Sequence, residues 1–311
     1  MLEFTLHPLL VICICTYQRP ERLRSSLLSL AKLQLPLDLN VAALVVDNDS
    51  GTQAGRKVVE ELSETFPFPL DCAVEEQRGI PCARNRCIDE LGSMRADYLV
   101  FIDDDEWVEP DWLIQLYAYS QKLGGNSVVC GSVVRRWPDS VPAYYSQIFY
   151  RQKRKTGEAL NYCATSNVLI PMSNIHSLGL RFNEQDPLGA GTDVIFFTEF
   201  KAKGGEIIYC LEARVYEAVP ESRANMRWLS RRKFSAGITL AKHKLAKGRG
   251  HISIFVSAIG QLLISSIGCI LGLIVGGKRL GSGPWLRACR SAGMACGVFG
   301  VRSEFYRVVD H

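Results

Sequence analysis

Tyr98-Leu99-Val100-Phe101-Ile102-Asp103-Asp104-Asp105-Glu106 is the stretch that decides how this chain is read. Apolar residues run straight into a cluster of acids. An unbroken apolar run of this kind reads as a buried strand of a parallel sheet, covered on both faces. In open α/β sheets ligands bind at the carboxyl ends of the strands, which is where these acids fall. Neighbouring carboxylates repel one another, and burying them is costly unless a cation compensates. Hard divalent cations such as Mg²⁺ or Mn²⁺ take oxygen ligands and often bridge carboxylates to a substrate phosphate. Position and chemistry together point to a metal–diphosphate site. The plainer alternative is an acidic loop solvated at the surface.

Upstream, residues 9 to 15 form an apolar run that Thr16-Tyr17-Gln18-Arg19-Pro20 ends. Pro20 suits the first turn of a helix. Leu23, Leu27 and Leu30 follow at helical spacing, with Leu28 and Leu33 widening the face. A second apolar run, 41 to 46, ends in Asp47-Asn48-Asp49-Ser50-Gly51. A helix over 52 to 64 and a strand near 70 to 75 lead to Gln77-Arg78-Gly79-Ile80-Pro81, and a helix over about 81 to 94 carries Arg84, Asn85 and Arg86. This alternation predicts a parallel α/β sheet with right-handed crossovers. Successive strands ending at Thr16, Asp47 and Asp103 would build a nucleotide crevice. Beyond residue 125 the alternation stops. Segments 128–134, 165–171 and 207–210 read as strands, and Asp193 opens a helix over 194–203 that Gly204-Gly205 ends.

A length of 311 residues suits one large domain or two smaller ones. A net charge of +4 is too small to argue for nucleic acid, but nine Lys and Arg crowd the stretch from Arg223 to Arg249. That bias suggests a surface facing phosphates, or else a solvated helix face. The eleven cysteines include no CxxC pair. Cys13, Cys15, Cys130, Cys163 and Cys210 lie in apolar runs, where a thiol behaves as a small hydrophobe. No signal peptide is expected at the N-terminus, and a reducing compartment follows for the catalytic part.

The stretch 252–276 carries no charge and is long enough to cross a bilayer. Gly268, Gly272 and Gly276 recur every fourth residue, a close-packing face for membrane helices. Basic residues flank both ends, with Lys278, Arg279, Arg287 and Arg290 on the far side, so charge asymmetry sets no orientation. A span, a re-entrant hairpin and a buried core helix all remain open.

Several chemistries are disfavoured. Gly276-Gly277-Lys278-Arg279 lacks the hydroxyl residue and spacing of a phosphate-binding P-loop, no GxGxxG follows the first strand, and no GxSxG is present. With five histidines in the chain, carboxylates are left to do the acid–base work.

The ordered set Cys15-Thr16-Tyr17-Gln18-Arg19-Pro20, Val46-Asp47-Asn48-Asp49-Ser50, Ala83-Arg84-Asn85, Phe101 to Glu106 with Pro110-Asp111-Trp112-Leu113, Gly191-Thr192-Asp193-Val194-Ile195-Phe196-Phe197, and Val215-Tyr216-Glu217 resembles family 2 glycosyltransferases of the GT-A fold. The resemblance covers about residues 9 to 235. More narrowly, the chain is similar to glucosyltransferases of succinoglycan assembly, which extend a lipid-linked oligosaccharide. The resemblance implies a mixed, mainly parallel sheet flanked by helices, and an inverting transfer from a nucleotide-diphosphate sugar, usually UDP-linked, with Mn²⁺ or Mg²⁺. It places Thr16, Tyr17 and Arg19 in the nucleotide pocket, Asp47 or Asn48 at the base, and Arg84 near the base or diphosphate. Asp103 and Asp105 form the DXD motif: Asp105 as metal ligand and Asp103 towards ribose or metal, with Asp104 beside them in the donor site. Asp193 matches the general base, with Glu184 or Asp186 next in line. Thr192 stands where an acid is commoner, and Ala218 where some relatives have His.

Trp107 and Trp112 could stack on a sugar or simply pack, packing being favoured for Trp112; Trp228, among arginines, could anchor at a membrane interface. The expected organisation is a catalytic domain over 1–225 and a basic, helical, membrane-associated region over 226–311. The expected partners are a nucleotide sugar, a glycan or polyprenyl-diphosphate-linked acceptor and membrane lipid at the cytoplasmic face, with no nucleic acid. Two rivals remain. A sugar nucleotidyltransferase wants a glycine-rich basic loop after the first strand, which 16–20 does not offer. A membrane-tethered binding or assembly subunit without catalysis would have no use for Asp193 and the DXD acids.

Overall fold

The structure, a computed structural model, describes residues 7–142, 154–185, 187–189 and 191–302. The chain starts with strand–helix alternation: β1 (Leu9–Thr16), α1 (Pro20–Leu30), β2 (Asn40–Asp47), α2 (Ala54–Ser63), β3 (Leu70–Val74), α3 (Ile80–Met94) and β4 (Tyr98–Asp103). It continues with β5 (Glu106–Val108), α4 (Trp112–Lys122), β6 (Val128–Arg136), β7 (Val168–Pro171), α5 (Met172–Leu178), α6 (Thr192–Ala202), β8 (Ile207–Ala218), α7 (Met226–Ala246) and α8 (His251–Val298). The described strands form one eight-stranded sheet, ordered β3-β2-β1-β4-β7-β6-β8-β5.

The first half of the sheet is parallel, as the alternation predicts. Val11 to Ile14 of β1 and Leu99 to Ile102 of β4 are buried because helices cover both faces. Register then decides where the polar ends fall. Thr16 lies opposite Asp47 and Cys15 opposite Asp103, so three strand ends finish level with one another. On α1, Leu23, Leu27 and Leu30 are fully buried, whereas Leu28, expected on the same face, is 47% exposed.

The second half of the sheet is mixed. β7 runs antiparallel to both β4 and β6, and β6 is parallel to β8. β5, which the apolar pattern does not reveal, pairs antiparallel with β8 and sets Glu106 opposite Glu217. The acids after β4 therefore sit in a tight turn between two strands. β8 runs on to Ala218, well beyond the expected Cys210. Trp112 is a packing residue: it is buried, and its indole Nε1 donates to Asn167 Oδ1 at 2.9 Å. Asn167 in turn donates to the carbonyls of Ser132 and Ala213 at 2.8 and 2.7 Å, tying β6 to β8.

The C-terminal part is a helical bundle. α8 breaks at Gly276 and Gly277, the latter at φ 57° and ψ −148°, and its arms 251–275 and 278–298 fold back on each other. The arms touch through small residues: a Cβ on Gly272 would lie 2.8 Å from the Leu280 carbonyl. At the other end, the His251 ring reaches the Val298 carbonyl at 3.3 Å. The second arm also packs closely on α7, where a Cβ on Gly293 would lie 1.9 Å from the Phe234 carbonyl. The first arm is not a buried core helix. Ile264, Ile267, Ile270, Leu271, Ile274 and Val275 stand out from the bundle, each more than half exposed.

Candidate active site

The level ends of β1, β2 and β4 open into a cleft whose far wall is the start of α6 and of α7. Of the residues assigned from sequence, Thr16, Tyr17, Arg19, Asn48, Arg84, Asp103, Asp104, Asp105 and Asp193 all line it.

The three acids differ in surroundings. Asp104 is buried and accepts from Thr16 Oγ1 at 2.8 Å and from Arg19 Nη1 at 3.3 Å. Asp105 faces a guanidinium cluster: Arg22 and Arg223 reach its Oδ2 at 3.2 and 3.3 Å, with Arg19 at 3.7 Å. Burial pushes the Asp103 carboxyl up to about 7 and the Asp104 carboxyl to about 6, the nearby acids adding to the rise. Arg84 pulls Asp103 the other way, and Arg19 does the same for Asp104. Glu106, behind the turn, accepts from the Asp103 amide at 3.0 Å, and burial raises its carboxyl well above the usual range. Glu217 is held by Arg135 at 2.7 Å.

Asp47 and Asn48 have separated roles. Asp47 is fully buried and accepts from the amides of Asp49 and Arg56 at 3.1 and 3.0 Å. It fastens β2 to the first turn of α2 and does not line the cleft. Asn48 does line it. Its amide donates to the carbonyls of Glu75 and Gln77 at 3.1 and 2.9 Å and accepts from Gly79 N at 2.7 Å. That staple fixes the loop carrying Arg78, whose guanidinium lies 4.4 Å from the centre of the Tyr17 ring. A guanidinium held over the tyrosine face sets positive charge at the mouth of the cleft.

Arg84, from the first turns of α3, crosses the cleft and donates to Thr192 Oγ1 at 3.2 Å. Asp193 follows in the first turn of α6, where helix N-terminal amides favour a carboxylate; its Oδ1 accepts from Val194 N at 2.9 Å. Glu184 is engaged elsewhere, accepting from Asn85 Nδ2 at 2.6 Å, and it does not line the cleft. Asp186 lies outside the described residues. Trp228, expected as a membrane-interface anchor, lines the cleft between Arg223 and Arg232, whose guanidiniums lie 5.9 and 5.2 Å from its ring. Trp107 stacks on Tyr216 at 5.8 Å. Arg22, Arg78 and Arg223 were not picked out from the sequence as donor-site residues, although the basic run from Arg223 signalled phosphate contact.

Among the described residues no group of three His, Cys, Asp or Glu encloses a cation. Asp103 and Asp105 nevertheless both line the cleft, and each offers carboxylate oxygens. That pair suits Mg²⁺ or Mn²⁺, which bind through one or two carboxylates and complete their shells with water and substrate phosphate.

Comparison with known proteins agrees with this geometry. Residues 11–177, over half of the chain, match the model of glycosyl transferase family 2. The succinoglycan biosynthesis protein ExoM of Rhizobium meliloti is 34% identical over 253 residues, covering 79% of this chain and 78% of ExoM. The glucosyl-dolichyl phosphate glucuronosyltransferase of Haloferax volcanii is 26% identical over 73% of this chain and 74% of its own. Among solved structures, S. aureus TarS 1–349 in complex with UDP-GlcNAc superposes with a TM-score of 0.54 at 14% identity, covering 94% of this chain and 90% of that one. GalNAc-T7 with UDP, GalNAc and Mn²⁺ gives a TM-score of 0.55 at 13% identity, covering 75% of this chain and 48% of that one. The fold is GT-A, a mixed sheet flanked by helices.

Proposed function

This chain belongs to glycosyltransferase family 2, and on that premise we propose that it moves a sugar, with inversion, from a UDP-type nucleotide sugar to a lipid-linked glycan in surface polysaccharide synthesis. One observation carries the reading: a carboxylate on α6, Asp193, shares a cleft with the acids at the end of β4 and with Arg19, Arg84 and Arg223. A base and a diphosphate cage on opposite walls are what inverting transfer needs. The UDP complex of the TarS neighbour supports the donor class, and the name of the succinoglycan relative supports a polysaccharide product.

In this mechanism Tyr17, Asn48 and Arg78 hold the nucleotide at the strand ends. Arg19 and Arg84 present planar donors suited to phosphate oxygens. Asp103 and Asp105 would hold a divalent cation, which supplies counter-charge to the leaving diphosphate. Asp193 takes the proton from the acceptor hydroxyl as that oxygen bonds to the anomeric carbon. The bond from that carbon to the diphosphate oxygen breaks, and the electron pair leaves with the nucleoside diphosphate. A binding subunit without catalysis would not need the carboxylate of Asp193 in the cleft. The nucleotidyltransferase alternative lacks its glycine-rich basic loop.

The division into a catalytic domain over 1–225 and a membrane-associated region over 226–311 stays part of this proposal, with the start of α7 contributing to the cleft. The bundle favours lying on the membrane over spanning it. The second arm is packed between the first arm and α7, and α7 carries Arg227, Arg231, Arg232, Lys233, Lys242 and Lys244. Standing the bundle across a bilayer would immerse those charges. Laying it flat lets the first arm enter the interface while Lys247, Arg249, Lys278 and Arg279 at its two ends meet head groups. The donor pool makes this the cytoplasmic face. A panel of nucleotide sugars, incubated with Mn²⁺ and membrane-lipid acceptors and read by product mass, tests the reading: a new glycosylated lipid supports it, and release of free sugar or pyrophosphate chemistry in its place rejects it.

A further inference from the structure

A second cavity, of about 650 Å³, lies where the helical bundle meets the catalytic half. Its size is within the range of small-molecule sites, about 300–1,000 Å³. One wall comes from the catalytic half: Val141 and Pro142 after β6, and Ala224 and Met226 around the start of α7. The other comes from the two arms of α8: Cys269 and Leu273 on the first, Gly281 and Trp285 on the second.

Ser140, Glu221, Lys278 and Ser282 line it as well, so the cavity is mixed, with apolar side chains in the majority and several of its polar groups engaged. Ser140 Oγ donates to Glu221 Oε1 at 2.9 Å, Trp285 Nε1 donates to Ser230 Oγ at 2.8 Å, and Ser282 Oγ donates to the Lys278 carbonyl. The apolar majority suits hydrocarbon.

Two continuities bear on the occupant. On the outside, Leu273 and Cys269 belong to the same arm as Ile267, Ile270, Leu271 and Ile274, the exposed apolar face that the proposed function lays on the membrane. On the inside, the turn from Glu221 to Trp228 is a wall shared by both cavities. Glu221, Ala224 and Met226 face the apolar one, while Arg223 and Trp228 face the catalytic cleft. A lipid whose chain fills the cavity therefore has its polar end beside Arg223 and Arg232, which suit a phosphate.

We propose that this cavity is the binding site for the isoprenoid chain of a lipid-phosphate-linked acceptor, and that the 221–228 turn separates the chain from the reacting sugar. The proposal rests on the reading of the first cleft as the transfer site. It assigns Val141, Met226, Leu273 and Trp285 to chain recognition, and Arg223 with Arg232 to the linking phosphate.

The test uses the full-length protein in detergent micelles and a long polyisoprenyl phosphate carrying a diazirine on its chain. Irradiation should label peptides containing 140–142, 221–226 and 269–285. Excess unlabelled polyisoprenyl phosphate should suppress that labelling, and excess phospholipid should not. Labelling confined to the exposed face of the first arm, or suppressed equally by phospholipid, overturns the proposal. Val141→Gln, on the catalytic half and outside the two arms, should raise KM for a long-chain acceptor by about tenfold. It should leave liposome binding and transfer to a short-chain soluble acceptor unchanged. Met226→Gln provides a second variant should the first unfold. Equal loss on both acceptors overturns the proposal. Absence of any transfer by the wild type, with labelling still competed, sinks the transferase reading and leaves the lipid site standing.

Discussion

Replacing Ile264 and Ile274 by serine tests how the bundle meets the membrane. These side chains are 73% and 76% exposed, so substitution removes apolar area from the surface and leaves the packed face of the arm intact. Fully burying an isoleucine side chain is worth about 1.5–3 kcal/mol, so three-quarters of that gives about 1–2 kcal/mol for each residue when the face enters lipid. The double variant should lose about 2–4 kcal/mol of membrane affinity, roughly 30- to 700-fold in partitioning. Co-sedimentation with liposomes containing an anionic phospholipid measures this, at low and at high salt. The wild type should stay bound at high salt and the double variant should remain largely in the supernatant, with the unfolding midpoints of the two alike. Unchanged partitioning of the variant, or release of the wild type by salt alone, would refute insertion of the first arm. Point substitutions are cleaner than truncation after about residue 250, because removing α8 strips the cover from Gly237, Ile238 and Ala241 of α7.

Further outcomes follow from the site and the bundle. Asp105→Ala should abolish transfer and remove the dependence of donor binding on Mn²⁺, read by calorimetric titration of nucleotide sugar with and without the metal; unchanged metal dependence would move the ligand elsewhere. Gly293→Ala should destabilise the protein by about 1–3 kcal/mol, the usual cost of overpacking, because its Cβ would meet the Phe234 carbonyl at 1.9 Å. Chemical denaturation measures that, and a stability equal to wild type would show that α7 and the second arm can move apart freely.

The parallel half of the fold was legible because its signals are local. An apolar run closed by a polar residue marks a strand end, and register then brings Thr16, Asp47 and Asp103 level. The second half was not, because β5 has three residues and takes its place by pairing with β8 at long range. No periodicity announces so short a strand. Motif order led to a cleft that Asp193, Arg84 and the DXD acids do share. Asp47 shows where motif reasoning blurs: it sits beside Asn48 in sequence, but a strand sends alternate side chains to opposite sides, and Asp47 is spent on the α2 amides. Trp228 shows the converse. Its arginine neighbours suggested a membrane surface, and only the fold shows that the same residues line the cleft. The uncharged stretch gave its length and its close-packing glycines. The break at Gly276-Gly277, which turns one long helix into a hairpin, has a glycine pair as its signal, but the pair lies at the end of a regular glycine spacing that reads equally as helix packing.

The central claim is that Asp193 takes the acceptor proton in a sugar transfer at this cleft. It is tested most directly by single-turnover transfer with Asp193→Asn, donor affinity being measured on the same preparation. The amide keeps the shape of the side chain and cannot accept the proton, so the rate should fall by about 10²- to 10⁴-fold with donor affinity unchanged. A transfer rate equal to wild type would contradict the account and place the base on another residue.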